Sequence, residues 1–138
     1  MKDRLFLLTK HWQAMREHVA GQAPLEACGL LAGKNDHVEK IIPIRNQAHS
    51  PVRFHMDPIE QLDALNWMDS NDQELLGIFH SHPVGPDEVS DTDIDEARYP
   101  VVHIVWDGRN GQWNARGFWI ENGKAIEVTL EINHNRNQ

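Results

Sequence analysis

The sequence contains few of the residues on which several large classes of protein depend. It has a single cysteine, Cys28, which excludes an internal disulfide and agrees with a reducing compartment. No apolar run approaches the roughly 20 residues that cross a membrane, and residues 1–8 have too short an apolar core for a signal peptide. We therefore expect a cytoplasmic protein that does not act at membranes.

Positive charge is also scarce, since 13 Lys and Arg stand against 21 Asp and Glu, for a formal net charge of −8. The basic residues are scattered, whereas proteins that bind a nucleic-acid backbone cluster them. We expect no nucleic-acid partner, and a neutral or basic protein partner is more consistent with this charge. The 138 residues, of which 40% are hydrophobic, are typical of one globular domain over 1–138, with 133–138 as a flexible polar tail.

Hydrophobic periodicity and turn residues predict strands interspersed with helices. Helices are expected from the N-cap Thr9 to about Gly21, after the N-cap Asp57, and from Ser90. The second of these helices is expected to bury a stripe formed by Leu62, Leu65 and Met68. Strands are predicted over 5–8, 28–32, 37–45, 52–56, 75–82, 101–106, 112–121 and 124–132. These elements predict an α+β fold with a mixed, largely antiparallel sheet flanked by helices.

The most informative segment is His80-Ser81-His82-Pro83, at the end of a predicted strand. Residues two apart in a strand point to the same face, so His80 and His82 are expected to project side by side. Ser81 then faces the other way, where we expect it to support the sheet. Pro83 cannot donate to a sheet ladder, so the strand is expected to end there and lead into a loop.

That loop leads to the helix that begins at Ser90 and can bring Asp93 beside the two imidazoles. Two imidazoles and a carboxylate, with the fourth position open to water, are typical of a catalytic zinc site. A simpler alternative exists, because Ser90-Asp91-Thr92-Asp93 also fits a helix capping box. A His-x-His pair alone is likewise more often two half-exposed histidines. The combination within so short a segment favours zinc held by His80, His82 and Asp93.

Together with the upstream segment Glu26-Ala27-Cys28-Gly29-Leu30-Leu31, this motif resembles the JAMM (MPN-plus) metalloprotease family, in particular its small bacterial and archaeal members. The resemblance implies a cytidine-deaminase-like domain that binds one Zn²⁺ per chain. It implies Glu26 as general base and Ser90 as hydrogen-bond donor to the oxyanion. The implied reaction is hydrolysis of the peptide or isopeptide bond after the C-terminal Gly-Gly of a ubiquitin-like or sulfur-carrier protein.

Other functions are also consistent with these residues. The domain could be a non-catalytic MPN-type protein-binding module, or it could release a small amino acid such as cysteine from a sulfur-carrier adduct. A base deaminase of related fold would need a Cys-x-x-Cys pair, which one cysteine cannot provide. A homodimer formed through an exposed strand edge stays open.

Two further residues could carry chemistry, and both are interpreted as structural. Cys28 is a nucleophile by type, but its apolar neighbours indicate a buried and inert thiol. His103 lies in an apolar strand and is interpreted as a core histidine outside the site.

Overall fold

The computed structural model describes residues 2–133, in which helices are interspersed among strands as the sequence predicts. The helices are α1 (Thr9–Gln22), α2 (Pro58–Ser70) and α3 (Asp91–Glu96). The strands are β1 (Arg4–Leu8), β2 (Cys28–Lys34), β3 (His37–Ile44), β4 (Glu74–His82), β5 (Val102–Asp107), β6 (Asn114–Glu121) and β7 (Lys124–Asn133). Within these described residues no helix is long and apolar enough to span a bilayer.

The strands form one sheet in the order β1-β3-β2-β4-β5-β6-β7, which closes on itself into a barrel. The pairs β2–β3, β2–β4, β5–β6 and β6–β7 are antiparallel, whereas β4–β5, β1–β7 and β1–β3 are parallel. The predicted α+β class with a mixed, largely antiparallel sheet is therefore confirmed. The closure through β1 was not expected. It rests on a single register pair with β3, between Phe6 and His37.

Strand β4 is the fourth of the seven strands in this order and pairs with β2 on one side and with β5 on the other. His80 lies opposite Cys28 of β2 and Val105 of β5, and His82 lies opposite Asp107. The predicted His-x-His strand is thus buried between two neighbours, which fix the backbone that carries both imidazoles.

Alternate residues of β4 pack into different hydrophobic clusters. Phe79 packs inside the sheet with Trp106 and with Met15 and Val19 of α1. Ile78 points to the opposite face and packs with Met68 of α2. Because residues two apart share a face, His80 and His82 lie on the α2 side of the sheet.

Several local predictions were wrong, each for an identifiable reason. Helix α1 has Leu8 rather than Thr9 as its N-cap, and the Thr9 hydroxyl donates instead to the Asn133 carbonyl at 3.4 Å. In α2, Leu62 is 58% exposed, while Ala64 and Met68, four residues apart, are buried. Leu62 is two residues from Ala64 and so points to nearly the opposite side of the helix.

The segment 52–56, predicted as a strand, forms only an isolated bridge between Asn46 and Met56. The Asn46 side chain replaces a ladder: its Oδ1 accepts from the Ala48 and His55 N–H groups, and its Nδ2 donates to the carbonyl oxygens of Glu26 and Arg53.

At the C-terminal end, β7 includes Asn133, which was predicted to begin the tail. The rest of that predicted tail, 134–138, lies outside the described residues.

Two glycines provide a matched test of the packing. A Cβ at Gly29 would lie 2.3 Å from the Phe79 ring and 2.7 Å from the Ile42 carbonyl oxygen, whereas one at Gly21 of α1 would meet nothing within 4 Å. We expect Gly29→Ala to lower the free energy of unfolding by about 1–3 kcal/mol. Gly21→Ala is expected to raise it by roughly 0.5–1 kcal/mol, because alanine is the better helix former. Urea unfolding measures both, and equal effects would contradict the packing of β2 on β4.

Candidate metal centre

His80 and His82 lie at the end of β4 with their ring nitrogens directed at each other. Their Nε2 atoms are 3.2 Å apart. Asp93, in the first turn of α3, places its Oδ2 atom 3.0 Å from His80 Nε2 and 3.3 Å from His82 Nε2. Three of the predicted site residues thus bring two nitrogens and one oxygen together, although His80 and Asp93 are 13 residues apart in the sequence.

The separations of these three atoms test whether a metal ion fits. A tetrahedral ion with bonds of about 2.0 Å holds its ligand atoms roughly 3.3 Å apart. The three distances above fall close to that value. Imidazole nitrogen and carboxylate oxygen are also common ligands of divalent metals in proteins. The residues present therefore fit a metal ion held by two imidazoles and one carboxylate.

The His82 ring is oriented by a backbone carbonyl. Its Nδ1 lies 2.8 Å from the Pro86 oxygen, in the loop after β4. A carbonyl oxygen can only accept, so Nδ1 carries the hydrogen and donates it, and the lone pair lies on Nε2, which faces His80 and Asp93. Sequence reasoning expected such partners without identifying them, because any residue can offer a carbonyl oxygen.

The His80 ring is oriented by stacking. It lies against Phe54 with ring centroids 4.5 Å apart and planes at 25°. Its Nδ1 is buried and has no hydrogen-bond partner among the residues that the structure describes. Phe54 belongs to the segment that was predicted as a strand, and no sequence signal connected it with the site.

The loop that supplies Pro86 is tied to the sheet by Arg116 of β6. Its Nη1 atom donates to Asp87 at 3.2 Å and to Glu88 at 3.4 Å, while Nε and Nη2 donate to Glu127 of β7 at 3.0 and 2.8 Å. A bidentate arginine in a network restrains a loop better than an isolated surface ion pair.

Glu26, the predicted general base, lies next to the two histidines. It is only 4% exposed. One of its carboxylate oxygens lies within 4.8 Å of a ring nitrogen of His80 and of a ring nitrogen of His82. Its Oε1 atom is buried without a hydrogen-bond partner among residues 2–133. The structure thus brings a carboxylate with an unpaired oxygen to this cluster.

The backbone around Glu26 is fixed on both sides. Its N–H donates to the Ser50 carbonyl at 2.8 Å, and the N–H of Ala27 donates to Ser81 Oγ, also at 2.8 Å. Ser81 therefore faces away from the histidines and supports the sheet, as the sequence predicted. It links the end of β4 to the segment that carries Glu26.

The two carboxylates differ strongly in acidity. Burial raises the pKa of Glu26 to about 8, opposed by His82 and reinforced by the charge of Asp93. Burial acts in the same direction on Asp93, but hydrogen bonds with His80 and His82 outweigh it and hold the pKa of that carboxyl well below its usual range. Asp93 is therefore a permanent anion, while Glu26 can gain or lose a proton near neutral pH.

Ser90 forms the capping box that was the simpler alternative. Its Oγ accepts from the Asp93 N–H at 3.0 Å, and Asp93 Oδ2 accepts from the Ser90 N–H at 2.8 Å. The same Oδ2 atom faces both imidazoles, so the capping box and the cluster coexist and do not exclude each other.

A cavity of about 370 Å³ opens beside the cluster, with His80, Ser90 and Asp93 in its wall. His103 lines the same cavity, although sequence analysis placed it outside the site. It is 4% exposed, and burial lowers its pKa to about 4, so the ring is neutral at physiological pH.

Cys28 is fully buried, and its Sγ donates to the Ile44 carbonyl at 3.3 Å. Burial raises the pKa of the thiol to about 12. A thiol that stays protonated is a poor nucleophile, in agreement with its interpretation as an inert core residue.

Comparison with known proteins identifies the family. Residues 8–120 match the family model described as prokaryotic homologs of the JAB domain. A desampylase from Pyrococcus furiosus is 35% identical over 129 residues, which cover 91% of this chain and 89% of that protein. A probable TtuB-protein conjugate cleaving protease from Thermus thermophilus is 36% identical over 83% of this chain and 75% of that protein. A CysO-cysteine peptidase from Mycobacterium tuberculosis is 37% identical over 67% of this chain and 64% of that protein.

Solved structures agree with this assignment. A protein from Desulfitobacterium hafniense superimposes with a TM-score of 0.85 at 32% identity, over 95% of this chain and 94% of that one. A JAB1/MPN domain protein from Archaeoglobus fulgidus has the same fold, with a TM-score of 0.60 at 17% identity, over 91% of this chain and 95% of that one. The chain belongs to the family of prokaryotic JAB-domain homologs, and the predicted JAMM resemblance is confirmed.

The acidity of Glu26 predicts how the metal-free protein responds to pH. Its pKa rises from 4.5 to about 8 on folding, so between these values the folded state holds more protons and stability falls as pH rises. Glu26→Gln lacks this titrating group. The free energy of unfolding of the variant, relative to that of the wild type, is therefore expected to increase by roughly 1–3 kcal/mol between pH 5 and pH 8.

Urea unfolding of chelator-treated protein at the two pH values measures this difference. Glu17→Gln, on the exposed face of α1, is the control and should parallel the wild type. If the unfolding free energy of Glu26→Gln changed with pH as that of the wild type does, the pKa of the Glu26 carboxyl would not be raised in the folded state.

Proposed function

We propose that this chain is a zinc-dependent peptidase that hydrolyses the bond after the C-terminal Gly-Gly of a ubiquitin-like or sulfur-carrier protein conjugate. The observation that carries the proposal is the convergence of His80, His82 and Asp93, with the buried Glu26 beside them. The names of the relatives, a desampylase, a conjugate cleaving protease and a CysO-cysteine peptidase, support this substrate class.

In this proposal His80, His82 and Asp93 hold the Zn²⁺ ion. Bound there, zinc would act as a Lewis acid and would make water more acidic, so that a nucleophile is available near neutral pH. The three residues suit this task because Pro86 fixes the tautomer of His82, and because Asp93 keeps its negative charge at all physiological pH values.

Glu26 moves the proton. Its Oε1 atom, which has no partner within the described chain, accepts a proton from the attacking water and then delivers it to the leaving nitrogen. In the metal-free chain, burial raises the pKa of this carboxyl to about 8, which favours uptake of a proton from water.

Ser90 stabilises the oxyanion. Its Oγ already accepts a hydrogen bond from the Asp93 N–H, which leaves its own hydroxyl hydrogen free to donate elsewhere. The side chain lies in the wall of the cavity beside the cluster, where the scissile carbonyl would lie. Such a donor strengthens its interaction as negative charge grows on the carbonyl oxygen.

The burial of the cluster favours a glycine tail. The side chains of His80, His82 and Asp93 are at most 10% exposed, so a polypeptide has to approach them closely. Glycines permit this approach because they have no Cβ.

We further propose that the enzyme acts in the cytoplasm, which a single buried thiol fits. We also predict that it binds no nucleic acid and acts away from membranes. Whether it forms a homodimer stays open. A non-catalytic binding module is the weaker alternative, because such a module has no use for a buried Glu26 whose Oε1 lacks a partner within residues 2–133.

The proposal is tested with a carrier protein whose C-terminal Gly-Gly is joined to a leaving group. Mass spectrometry of the products identifies the bond that is cut. Wild type with zinc is expected to cleave after Gly-Gly, a chelator should abolish cleavage, and added zinc should restore it. Identical cleavage with and without the chelator would rule out the metal mechanism.

Two variants assign the roles of the side chains. Glu26→Gln is expected to keep one zinc per chain while turnover falls by about 100-fold or more. Ser90→Ala is expected to lower turnover by about 100- to 1,000-fold. Glu17→Gln and Ser70→Ala, on exposed helix positions, serve as matched controls that should keep wild-type turnover. Loss of zinc from Glu26→Gln would contradict its role as a base outside the ligand set.

A further inference from the structure

The loop after β4, which carries the Pro86 carbonyl, is joined to the turn after β5 through the backbone of His82. The His82 carbonyl oxygen accepts from the Gly85 N–H at 2.8 Å and from the Gly108 N–H at 3.1 Å. Asp107, the last residue of β5, lies opposite His82 in the parallel pair β4–β5. The turn that begins at Asp107 therefore lies beside the loop that orients the His82 ring.

Asp107 and Arg109 hold each other within this turn. The Asp107 Oδ1 atom accepts from the Arg109 N–H at 2.9 Å, and its Oδ2 atom accepts from Arg109 Nε at 2.9 Å and lies 2.6 Å from Nη2. Asp107 is only 7% exposed, so the carboxylate itself has a fixed position. Three donors of one residue on one carboxylate restrict the arginine side chain to few orientations.

The side chain of Arg109 lies directly against the backbone of Gly85. A Cβ at Gly85 would lie 2.5 Å from Arg109 Nε, 2.6 Å from Cδ and 2.9 Å from Cγ. The φ angle of Gly85 is +73°, which residues with a Cβ rarely adopt. Glycine is therefore needed both for the backbone conformation and for the close approach of the arginine. This contact limits the movement of the backbone just before the Pro86 carbonyl.

Stabilisation of the turn alone does not account for this contact. The hydrogen bond from the Arg109 N–H to Asp107 Oδ1 closes the turn without the guanidinium. The arginine side chain extends instead over the neighbouring loop. Arg116 restrains the same loop on the other side of Pro86, through Asp87 and Glu88. Pro86 thus lies between two segments that arginines hold in place.

We propose that Arg109, held by Asp107, is a positioning residue of the candidate metal centre. By packing on Gly85 it keeps the Pro86 carbonyl on the Nδ1–H of His82, so that Nε2 stays directed at the other predicted ligands. Arg109 supplies no ligand atom and acts only through this carbonyl. The inference rests on the proposed function, because it assigns Arg109 a role in zinc binding.

Zinc affinity tests the inference without any substrate. It is measured on the full chain by competition with a chelator of known affinity. Removing a partner that orients a ligating histidine costs roughly 10- to 100-fold in metal affinity, and Arg109 acts one step further from the metal. Arg109→Ala is therefore expected to bind Zn²⁺ about tenfold more weakly than the wild type.

Two further substitutions accompany this measurement. Arg109→Lys should recover part of the affinity, because lysine keeps an aliphatic stem over Gly85 and one donor for Asp107. Arg4→Ala is the matched control. It breaks the ion pair between Arg4 and Glu131 on a different part of the sheet and should keep the wild-type affinity.

NMR of the zinc-loaded protein gives a readout that stabilisation of the turn would not change. In the wild type, the His82 Nδ1–H proton is expected to exchange slowly with water, because the Pro86 carbonyl accepts it. In Arg109→Ala this proton is expected to exchange about tenfold faster, since the loop can open locally while the rest of the chain stays folded. Urea unfolding of both proteins confirms that they are folded under these conditions.

A double-mutant cycle tests the contact between Gly85 and Arg109. Gly85→Ala is also expected to weaken zinc binding, because its Cβ would displace the Arg109 side chain and because its positive φ is strained. In Gly85→Ala/Arg109→Ala the displaced side chain is absent. The loss of affinity is then expected to be smaller than the product of the two single losses.

The outcomes separate this inference from the proposed function. Wild-type zinc affinity and wild-type exchange of the His82 proton in a folded Arg109→Ala would overturn the inference, and so would independent effects of the two substitutions in the cycle. The proposed function would stand in both cases. Failure of the zinc-loaded wild type to cleave a Gly-Gly conjugate would instead remove the proposed function, while the zinc measurements would still decide the role of Arg109. A wild type that binds no zinc would remove both.

Discussion

A single carboxylate oxygen, Asp93 Oδ2, joins helix α3 to the end of strand β4. It accepts from the Ser90 N–H at 2.8 Å and lies 3.0 and 3.3 Å from the two Nε2 atoms of His80 and His82. The start of the helix and the orientation of the imidazoles therefore depend on one another. A short helix with no buried residue of its own would have little else to hold it in place.

The second constraint is electrostatic. It gives very different pKa values to two carboxyl groups that lie close together. Asp93 is stabilised as an anion by its two histidines, whereas Glu26 is buried beside that negative charge without a hydrogen-bond partner on Oε1 in the described chain. The same type of side chain thus obtains two different protonation behaviours from its surroundings. This difference in pKa suits the roles proposed for Asp93 as a metal ligand and for Glu26 as a general base.

Sequence reasoning recovered those parts of the site that follow from local periodicity. The two-residue repeat of a strand placed His80 and His82 on one face, and Pro83 and Ser90 marked the ends of the elements around the loop. It did not find the Pro86 carbonyl, the ring of Phe54 or the place of His103 in the cavity wall. These depend on how distant segments pack, and a carbonyl or an apolar ring has no signature of its own. The strand predicted over 52–56 failed for the same reason, because side-chain bonds of Asn46 organise that segment.

Successive side chains of β4 face opposite sides of the sheet, so the residues that pack the core differ from those that face the cluster. Phe79 and Ser81 face the interior of the sheet and the Glu26 segment, while His80 and His82 face the cluster. Buried polar atoms such as His80 Nδ1 and Glu26 Oε1, which have no partner among residues 2–133, reduce the stability of a fold by roughly 1–3 kcal/mol each. Other such atoms lie away from the cluster, for example in Gln73 and Trp106, but these two lie beside the same group of histidines. Replacing them would leave the interior face of β4 intact, so the same fold can exist with or without this site.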